Sequence, residues 1–152
     1  MATTTVSHPS DLLTMVGTTL GPSSSLQVTQ ERIDQFAEAT GDHQWIHVDP
    51  EKAANGPFGT TIAHGYLTLS LANCFLPELL RVENVSMGVN YGTEKVRFPA
   101  PVPVNASISA GGEILSVEET KGGYKVVIRV TITAEGADRP ACIVDTISIF
   151  YP

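Results

Sequence analysis

Hydrophobic positions follow a helical period in the first half of this chain and a strand period in the second half. Apolar residues recur three and four positions apart at Ile33, Phe36 and Ala37, which is the spacing of one buried helix face. We predict a helix over 30–40 that ends at Gly41, because glycine is common just beyond a helix C-terminus.

A second apolar stretch, 65–80, carries hydrophobic side chains on nearly every side of a helix. A helix of that kind belongs in a protein core rather than on its surface. Shorter elements are predicted before it, namely a helix at 11–16, a strand at 26–28 and a helix at 50–54, with 1–9 as a loose tail.

Strands are predicted in the second half, where apolar and polar residues alternate. The clearest is 124–134, and others are expected at 95–98, 107–117 and 142–151, with Lys121-Gly-Gly123 as a hairpin turn. Helices followed by consecutive antiparallel strands predict an α+β fold in which one sheet wraps the buried helix. The outer or edge surface of that sheet would be free to pair with a second subunit.

Composition and charge indicate the general class of protein, and they say less about its fold. The chain has 152 residues, 42% of them hydrophobic and 16% charged, which is typical of one globular domain spanning 1–152. The net charge is −7 and no cluster of Lys or Arg occurs, so binding to nucleic acid is not expected. The apolar stretch is shorter than the roughly 20 residues that a membrane span needs. With no recognisable signal peptide, a cytoplasmic protein is expected.

The candidate chemistry lies on the segment that follows the first predicted helix. Asp42 and His47 are five residues apart there, and a carboxylate beside an imidazole is a common acid/base pair. Gly65 begins the buried helix, where unpaired backbone N–H groups favour a developing negative charge. Asp42 also has a purely structural interpretation, since Thr-Gly-Asp is typical of an Asx turn. His64 is expected to brace this loop through its ring nitrogens.

Other kinds of site have less support in the sequence. A zinc site formed by His43, His47 and His64 would need a helix at these positions, and Trp45-Ile46 does not favour one, so no metal is expected. Neither cysteine has the Cys-x-x-Cys spacing of a metal or redox pair, and both are expected to be buried free thiols. No glycine-rich phosphate or dinucleotide loop occurs, so no cofactor is expected.

Three segments together resemble the MaoC-like (R)-specific enoyl-CoA hydratases. They are Thr40-Gly-Asp-His-Gln-Trp-Ile-His47 with Ala53, then Ala63-His-Gly65, then Asn90-Tyr-Gly92 with Lys95-Val-Arg-Phe-Pro-Ala-Pro-Val102. The resemblance covers about residues 25–150, and it departs from the usual family pattern at Gln44-Trp45, where Asn-Pro is common. That departure keeps the spacing of the acid/base pair and changes the shape of the pocket. The family implies a hotdog fold, a long helix wrapped by an antiparallel sheet, and usually a homodimer.

The resemblance implies that water adds to a trans-2-enoyl-CoA and gives the (R)-3-hydroxyacyl-CoA. Asp42 and His47 would activate the water and supply a proton to C2, in an order that the sequence leaves open, and the Gly65 N–H would bind the oxyanion. Further candidates for substrate binding are Gln44, His64, Lys95 and Arg97. The two cations could hold the phosphates of the coenzyme or equally form a solvated strand face.

Two other functions stay open. A hotdog thioesterase would bind the same coenzyme and cleave the acyl bond. A non-catalytic acyl-CoA-binding subunit would bind without turnover, and its acid/base pair would be a relic or would need a partner chain. The acyl carrier is also undecided, although the net charge of −7 disfavours a strongly acidic carrier protein.

Overall fold

A computed structural model describes residues 3–152 of the chain. A six-stranded antiparallel sheet packs against two consecutive helices, and a two-stranded parallel pair lies beside it. The helices are α1 (Gln30–Thr40), α2 (Trp45–Val48), α3 (Pro50–Ala54), α4 (Gly65–Ser70) and α5 (Ala72–Leu79). The strands are β1 (Thr4–Val6), β2 (Thr19–Leu20), β3 (Leu26–Gln27), β4 (Leu80–Val82), β5 (Met87–Arg97), β6 (Ser107–Thr120), β7 (Gly123–Ala134) and β8 (Cys142–Tyr151). This arrangement confirms the α+β prediction.

Helix α1 has the predicted bounds because both of its ends are capped. The Thr29 hydroxyl accepts a hydrogen bond from the Arg32 N–H at 3.2 Å. Gly41 takes a left-handed conformation with φ of 84°, and its N–H donates to the Ala37 carbonyl at 2.8 Å. Asp42 therefore lies at a fixed exit point from the helix.

The predicted single helix at 65–80 is two helices that meet at Leu71. Neither glycine nor proline stands at the junction, so the sequence pattern carries no sign of it. One stripe of α4 and α5 is exposed, which corrects the expectation that every side is buried and leaves Cys74 exposed, while Cys142 is buried as expected. Within residues 3–152, no helix is long and apolar enough to cross a membrane.

The large sheet has the strand order β2-β6-β7-β8-β5, with β3 also on β6. The inner face of β7 carries the predicted aliphatic row, and Thr120 pairs with Gly123 across the predicted hairpin turn. Strand β5 is much longer than the predicted 95–98 and forms an edge of the sheet, with no buried residue along its eleven positions. Its glycine and polar residues concealed its length from the hydrophobic pattern.

The N-terminal segment is not a loose tail over its described part, 3–9. Strand β1 pairs in parallel with β4, and Val6 is only 7% exposed. A short 3-10 helix, Pro9–Thr14, follows in place of the helix predicted at 11–16. Leu12 of this helix is fully buried in the core, so apolar contacts hold the segment against the domain. Residues 1–2 of the predicted tail lie outside the described part.

Candidate active site

Asp42 occupies a tight turn directly after α1. Its Oδ1 atom accepts a hydrogen bond from the Gln44 N–H at 3.3 Å, which is the Asx turn that the sequence also allowed. The side chain is exposed, and the turn uses only one of the two carboxylate oxygens. The structural and the chemical interpretations of Asp42 are therefore compatible.

His47 lies on α2, a single helical turn where the sequence predicted none. The turn begins with the His47 N–H donating to the Gln44 carbonyl at 3.0 Å. Its ring is 6% exposed, and Nδ1 lies 2.8 Å from the Ile62 carbonyl oxygen. Because a carbonyl can only accept, Nδ1 carries the hydrogen, and in the neutral ring the lone pair is on Nε2. Nε2 is thus the nitrogen of His47 that can accept a proton.

The environment of His47 keeps it neutral. Burial lowers the pKa of the ring below its ordinary value, and the neighbouring His64 lowers it further. The hydrogen bond to Ile62 and the carboxylate of Asp42 act in the opposite direction, and the net shift is downward. A base must be unprotonated to act, so this shift extends the pH range over which His47 can accept a proton.

His64 connects the two residues of the pair. Its Nε2 atom lies 3.0 Å from the Asp42 carbonyl oxygen, so the expected brace is present. Its ring stacks on the His47 ring with centroids 4.0 Å apart and an interplanar angle of 24°. The side chain is buried, and its Nδ1 atom has no hydrogen-bond partner within residues 3–152.

Gln30, which the sequence analysis did not select, fixes the other side of α2. Its Nε2 donates to the His47 carbonyl at 2.7 Å, and its Oε1 accepts from the Thr61 hydroxyl at 2.6 Å. One amide therefore joins α1, α2 and the segment that precedes α4. No local sequence signal marks this role, because its partners lie 17 and 31 residues away.

A cavity of about 330 Å³ opens beside His47. Its lining is mostly apolar and consists of His47, Phe58, Ile62, Ala63, Gly65, Thr68, Phe98, Pro99, Ala100, Pro101, Val102 and Ala141. Gly65 is the first residue of α4, and the His64 side chain does not cap that helix. A Cβ atom on Gly65 would lie 3.2 Å from the Phe98 ring, so glycine allows the close packing at this wall.

Two further cavities lie between the helices and strands β5 and β8. One of about 310 Å³ is lined by residues that include Leu69, Asn73, Asn90 and Thr146. The other, of about 330 Å³, shares Asn73 and Asn90 with it and is closed by Leu76, Leu80, Ile128 and Phe150. The cavity at His47 shares no lining residue with these two, but Thr68 in its wall directly precedes Leu69 in the wall of the next one. We refer to the three cavities together as the groove, with its site end at His47 and its far end at Phe150.

Of the predicted site residues, only His47 and Gly65 line the cavity at His47. Outside its wall, Asp42, Gln44, Lys95 and Arg97 are exposed, and His64 is buried. A cation that the sequence analysis missed, Arg139, donates a hydrogen bond to the Pro99 carbonyl and so lies at the rim of that cavity. Arg139 belongs to an irregular loop after β7, where no pattern distinguishes it.

Whether Asp42, His47 and His64 could bind one metal ion depends on the geometry of the two histidine rings. Potential ligand atoms of Asp42, His47 and His64 all lie within 4.8 Å of one another, so proximity alone would allow an ion. A metal binds an imidazole in the plane of its ring, at about 2.0–2.1 Å from nitrogen. Two stacked rings 4.0 Å apart and only 24° from parallel cannot both direct a lone pair at one ion. This geometry is better suited to proton transfer than to metal binding.

The chain matches known proteins along nearly its whole length. Residues 11–136 match the family model of the MaoC like domain. The chain is 46% identical over 138 residues, 90% of this chain and 91% of the relative, to 3-hydroxyacyl-thioester dehydratase Z of Mycobacterium tuberculosis. It is 41% identical over 143 residues to nodulation protein N of Rhizobium leguminosarum bv. viciae, covering 91% and 88% of the two chains.

Among solved structures, the (R)-hydratase from A. caviae involved in PHA biosynthesis superposes with a TM-score of 0.73. The match covers 90% of this chain and 96% of that chain at 23% identity, and a likeness at this level shows the fold alone. The predicted hotdog fold is confirmed, with the central helix divided in two. The family match and the two relatives place this chain in the MaoC-like domain family.

Proposed function

We propose that this protein is a hydro-lyase that adds water reversibly to a trans-2-enoyl thioester and gives the (R)-3-hydroxyacyl thioester. The observation that carries the proposal is the position of His47, whose ring is fixed by the Ile62 carbonyl at the cavity wall and has a nitrogen within 4.8 Å of a carboxylate oxygen of Asp42. The relative named as a 3-hydroxyacyl-thioester dehydratase and the similar fold of an (R)-hydratase support the same reaction.

The reaction that we propose needs one proton to leave water and one to reach C2. Water held between Asp42 and His47 forms the C3–O bond as the pair accepts a proton. The π electrons of the double bond move towards the thioester carbonyl, and the resulting enolate takes a proton at C2 from the pair. The pair ends with the protonation state with which it began, so no further reactant is required.

The developing enolate places negative charge on the thioester carbonyl oxygen. The Gly65 N–H lies at the start of α4, on the wall of the cavity and without a side-chain cap. A backbone donor in this position stabilises the charge, and such a donor is worth roughly 3 kcal/mol in the transition state. The lack of a Cβ atom lets the substrate approach this donor closely.

The substrate that we propose lies along the groove. The acyl chain extends from the cavity at His47 towards the apolar far end, and the thioester carrier leaves past the rim formed by 98–101. Lys95, Arg97 and Arg139 are then the cations available to the phosphates of coenzyme A. Arg139 has the most direct support, because its hydrogen bond to Pro99 places it at the rim.

The assembly that we propose is a homodimer formed through β5. This strand is an edge of the sheet and exposes Met87 and Tyr91, at 53% and 64%. A long unpaired edge readily pairs with another strand, and a second copy satisfies it by two-fold symmetry. A cytoplasmic location belongs to the same proposal, and cell fractionation would test it.

The test is an absorbance assay of the purified protein with crotonyl-CoA and with a longer trans-2-enoyl-CoA. We expect loss of the enoyl thioester absorbance and formation of the (R)-alcohol, identified by chiral analysis. A parallel thiol assay separates the alternatives: release of free coenzyme A would indicate a thioesterase. Binding of the thioester with neither reaction would indicate a non-catalytic subunit.

A further inference from the structure

We propose that His64 is a positioning residue, which holds Asp42 and His47 in their reactive arrangement without touching the substrate. This inference rests on the proposed function, because it concerns the same acid/base pair. It replaces the expectation from the sequence that His64 binds substrate.

The imidazole of His64 contacts both Asp42 and His47. Through Nε2–H it donates to the backbone carbonyl of Asp42 at 3.0 Å, and its ring face lies on the His47 ring at 4.0 Å. A shift of the loop at Asp42 would break the hydrogen bond, and a rotation of His47 would break the stack. The placement of the carboxylate and the placement of the base are therefore fixed by the same side chain.

His64 is itself held from several directions. Its backbone is the N-cap of α4, and its ring packs on Phe36 of α1 with centroids 4.9 Å apart. Only 2% of the residue is exposed, so it has little freedom to adopt another rotamer. The buried ring therefore serves as a support for the exposed turn that carries Asp42.

The hydrogen bond of His64 defines its role. The Nε2 atom must carry the hydrogen that goes to the Asp42 carbonyl, so His64 acts here as a donor. Its Nδ1 atom is buried and has no hydrogen-bond partner within residues 3–152, and the ring packs against those of His47 and Phe36. Asp42 and His47 remain the groups to which we assign proton exchange.

Burial separates His64 from the substrate. His64 is 2% exposed and does not line the cavity, although its neighbours Ala63 and Gly65 do. Asp42 also lies outside the cavity wall, but its side chain is exposed and can reach a water molecule there. Loss of a residue that contacts substrate changes KM, while loss of a residue that only places the reacting groups lowers kcat. The two roles of His64 are therefore distinguishable by kinetics.

The experiment uses three variants that separate the hydrogen bond of His64 to Asp42 from its ring stacking on His47. His64→Gln keeps an N–H donor and loses the ring, His64→Phe keeps a flat ring and loses the donor, and His64→Ala loses both. We expect kcat to fall about 100-fold in His64→Ala, with KM within about threefold, because small displacements of reacting groups cost about this much. His64→Gln and His64→Phe should each retain part of the lost rate.

A second readout is independent of turnover. In the wild-type protein, ¹⁵N spectra of the histidine rings should show His47 as the single Nδ1–H tautomer fixed by Ile62. In a folded His64 variant, the same signals should move towards the average of the two tautomers. The Gln and Phe variants keep this test available if His64→Ala does not fold.

Two outcomes would overturn the inference. The first is a rise in KM with unchanged kcat, which would make His64 a substrate contact. The second is a folded His64→Ala protein with wild-type kcat and unchanged His47 signals. If the wild-type protein has no hydratase activity, the proposed function fails, and the His47 signals alone then decide whether His64 positions that ring.

Discussion

The two ends of the groove are built from different interactions. At the site end, directional hydrogen bonds tie Asp42 to His64, His47 to Ile62, and Thr61 to Gln30. At the far end, most of the lining is apolar and includes Leu76, Ile128 and Phe150, and the polar residues there are Asn73, Asn90 and Ser148. Hydrogen bonds weaken steeply when their geometry changes, whereas apolar contacts tolerate changes of shape at a modest cost. The reaction should therefore be hard to alter and the preferred acyl chain easy to alter.

The largest effect is expected at the site end, from removal of either member of the proposed acid/base pair. We expect Asp42→Asn and His47→Gln each to lower kcat/KM by about 10²–10⁴, the usual contribution of a positioned acid or base. Both variants should remain folded, which circular dichroism and size-exclusion chromatography will check. His43→Gln is the matched control, since this half-exposed ring lies on the same loop but does not belong to the cluster of Asp42, His47 and His64. Full activity in Asp42→Asn or His47→Gln would refute the assignment.

A second substitution tests the close packing at Gly65, the proposed oxyanion site. In Gly65→Ala, the new Cβ atom meets the Phe98 ring at 3.2 Å, so the ring or the start of α4 must move. We expect kcat/KM to fall at least about tenfold, since one misplaced donor can cost more than that. Gly111→Ala is the control, because its Cβ would meet only the Leu20 carbonyl at 3.8 Å.

The double variant Gly65→Ala/Phe98→Leu sharpens this test, because a smaller side chain makes room for the methyl group. Partial recovery of kcat/KM would attribute the loss to the steric contact. A single Gly65→Ala variant with wild-type kinetics would contradict the role given to this wall.

The third prediction concerns pH and stability. Burial lowers the pKa of His47 in the folded protein, while in the unfolded chain the ring titrates near its ordinary value of about 6.5. As pH falls below about 6.5, the unfolded state takes up a proton that the folded state does not, so the free energy of unfolding decreases. The loss levels off once His47 also protonates in the folded protein, and one proton contributes at most about 1.4 kcal/mol per pH unit.

Urea unfolding of the wild type and of His47→Gln at a series of pH values isolates this contribution. The wild-type protein should lose more stability between about pH 6.5 and pH 5, because only it carries the buried ring. Equal pH dependence in the two proteins would mean that His47 titrates normally in the folded state.

The smallest effect is expected at the far end of the groove. In Leu76→Phe, the larger side chain fills part of the far cavity. We expect the rate with a long enoyl thioester to fall about tenfold, while the rate with crotonyl-CoA stays unchanged. Leu13→Phe is the control, since this leucine is 41% exposed and lies away from the groove lining. An equal loss with both substrates would show that the two ends are not independent.

The elements that sequence predicted well are those whose causes are local. Helix α1 has its cap, its apolar stripe and its glycine stop within thirteen consecutive residues, and its bounds are as predicted. Strand β7 shows the same agreement, because alternation alone defines its buried face. The position of Asp42 at a helix exit followed from α1.

The errors came from interactions between distant parts of the chain. Strand β1 pairs with β4, whose residues lie 76 positions further along, so a short polar segment gave no sign of order. Gln30 and Arg139 bind backbone carbonyls 17 and 40 residues away, and no local pattern encodes such contacts. Helix α2 has a single turn, too short for any periodicity to appear.

The amide of Gln30 has a consequence for how variants of this protein should be judged. A single base change converts a glutamine codon into a glutamate codon, with almost no change in side-chain volume. The first turn of a helix even favours a carboxylate. At this position, however, the exchange would replace the donor to the His47 carbonyl by a negative oxygen facing that carbonyl and Asp34. A substitution that similarity tables treat as harmless would here set two acceptors against each other beneath His47.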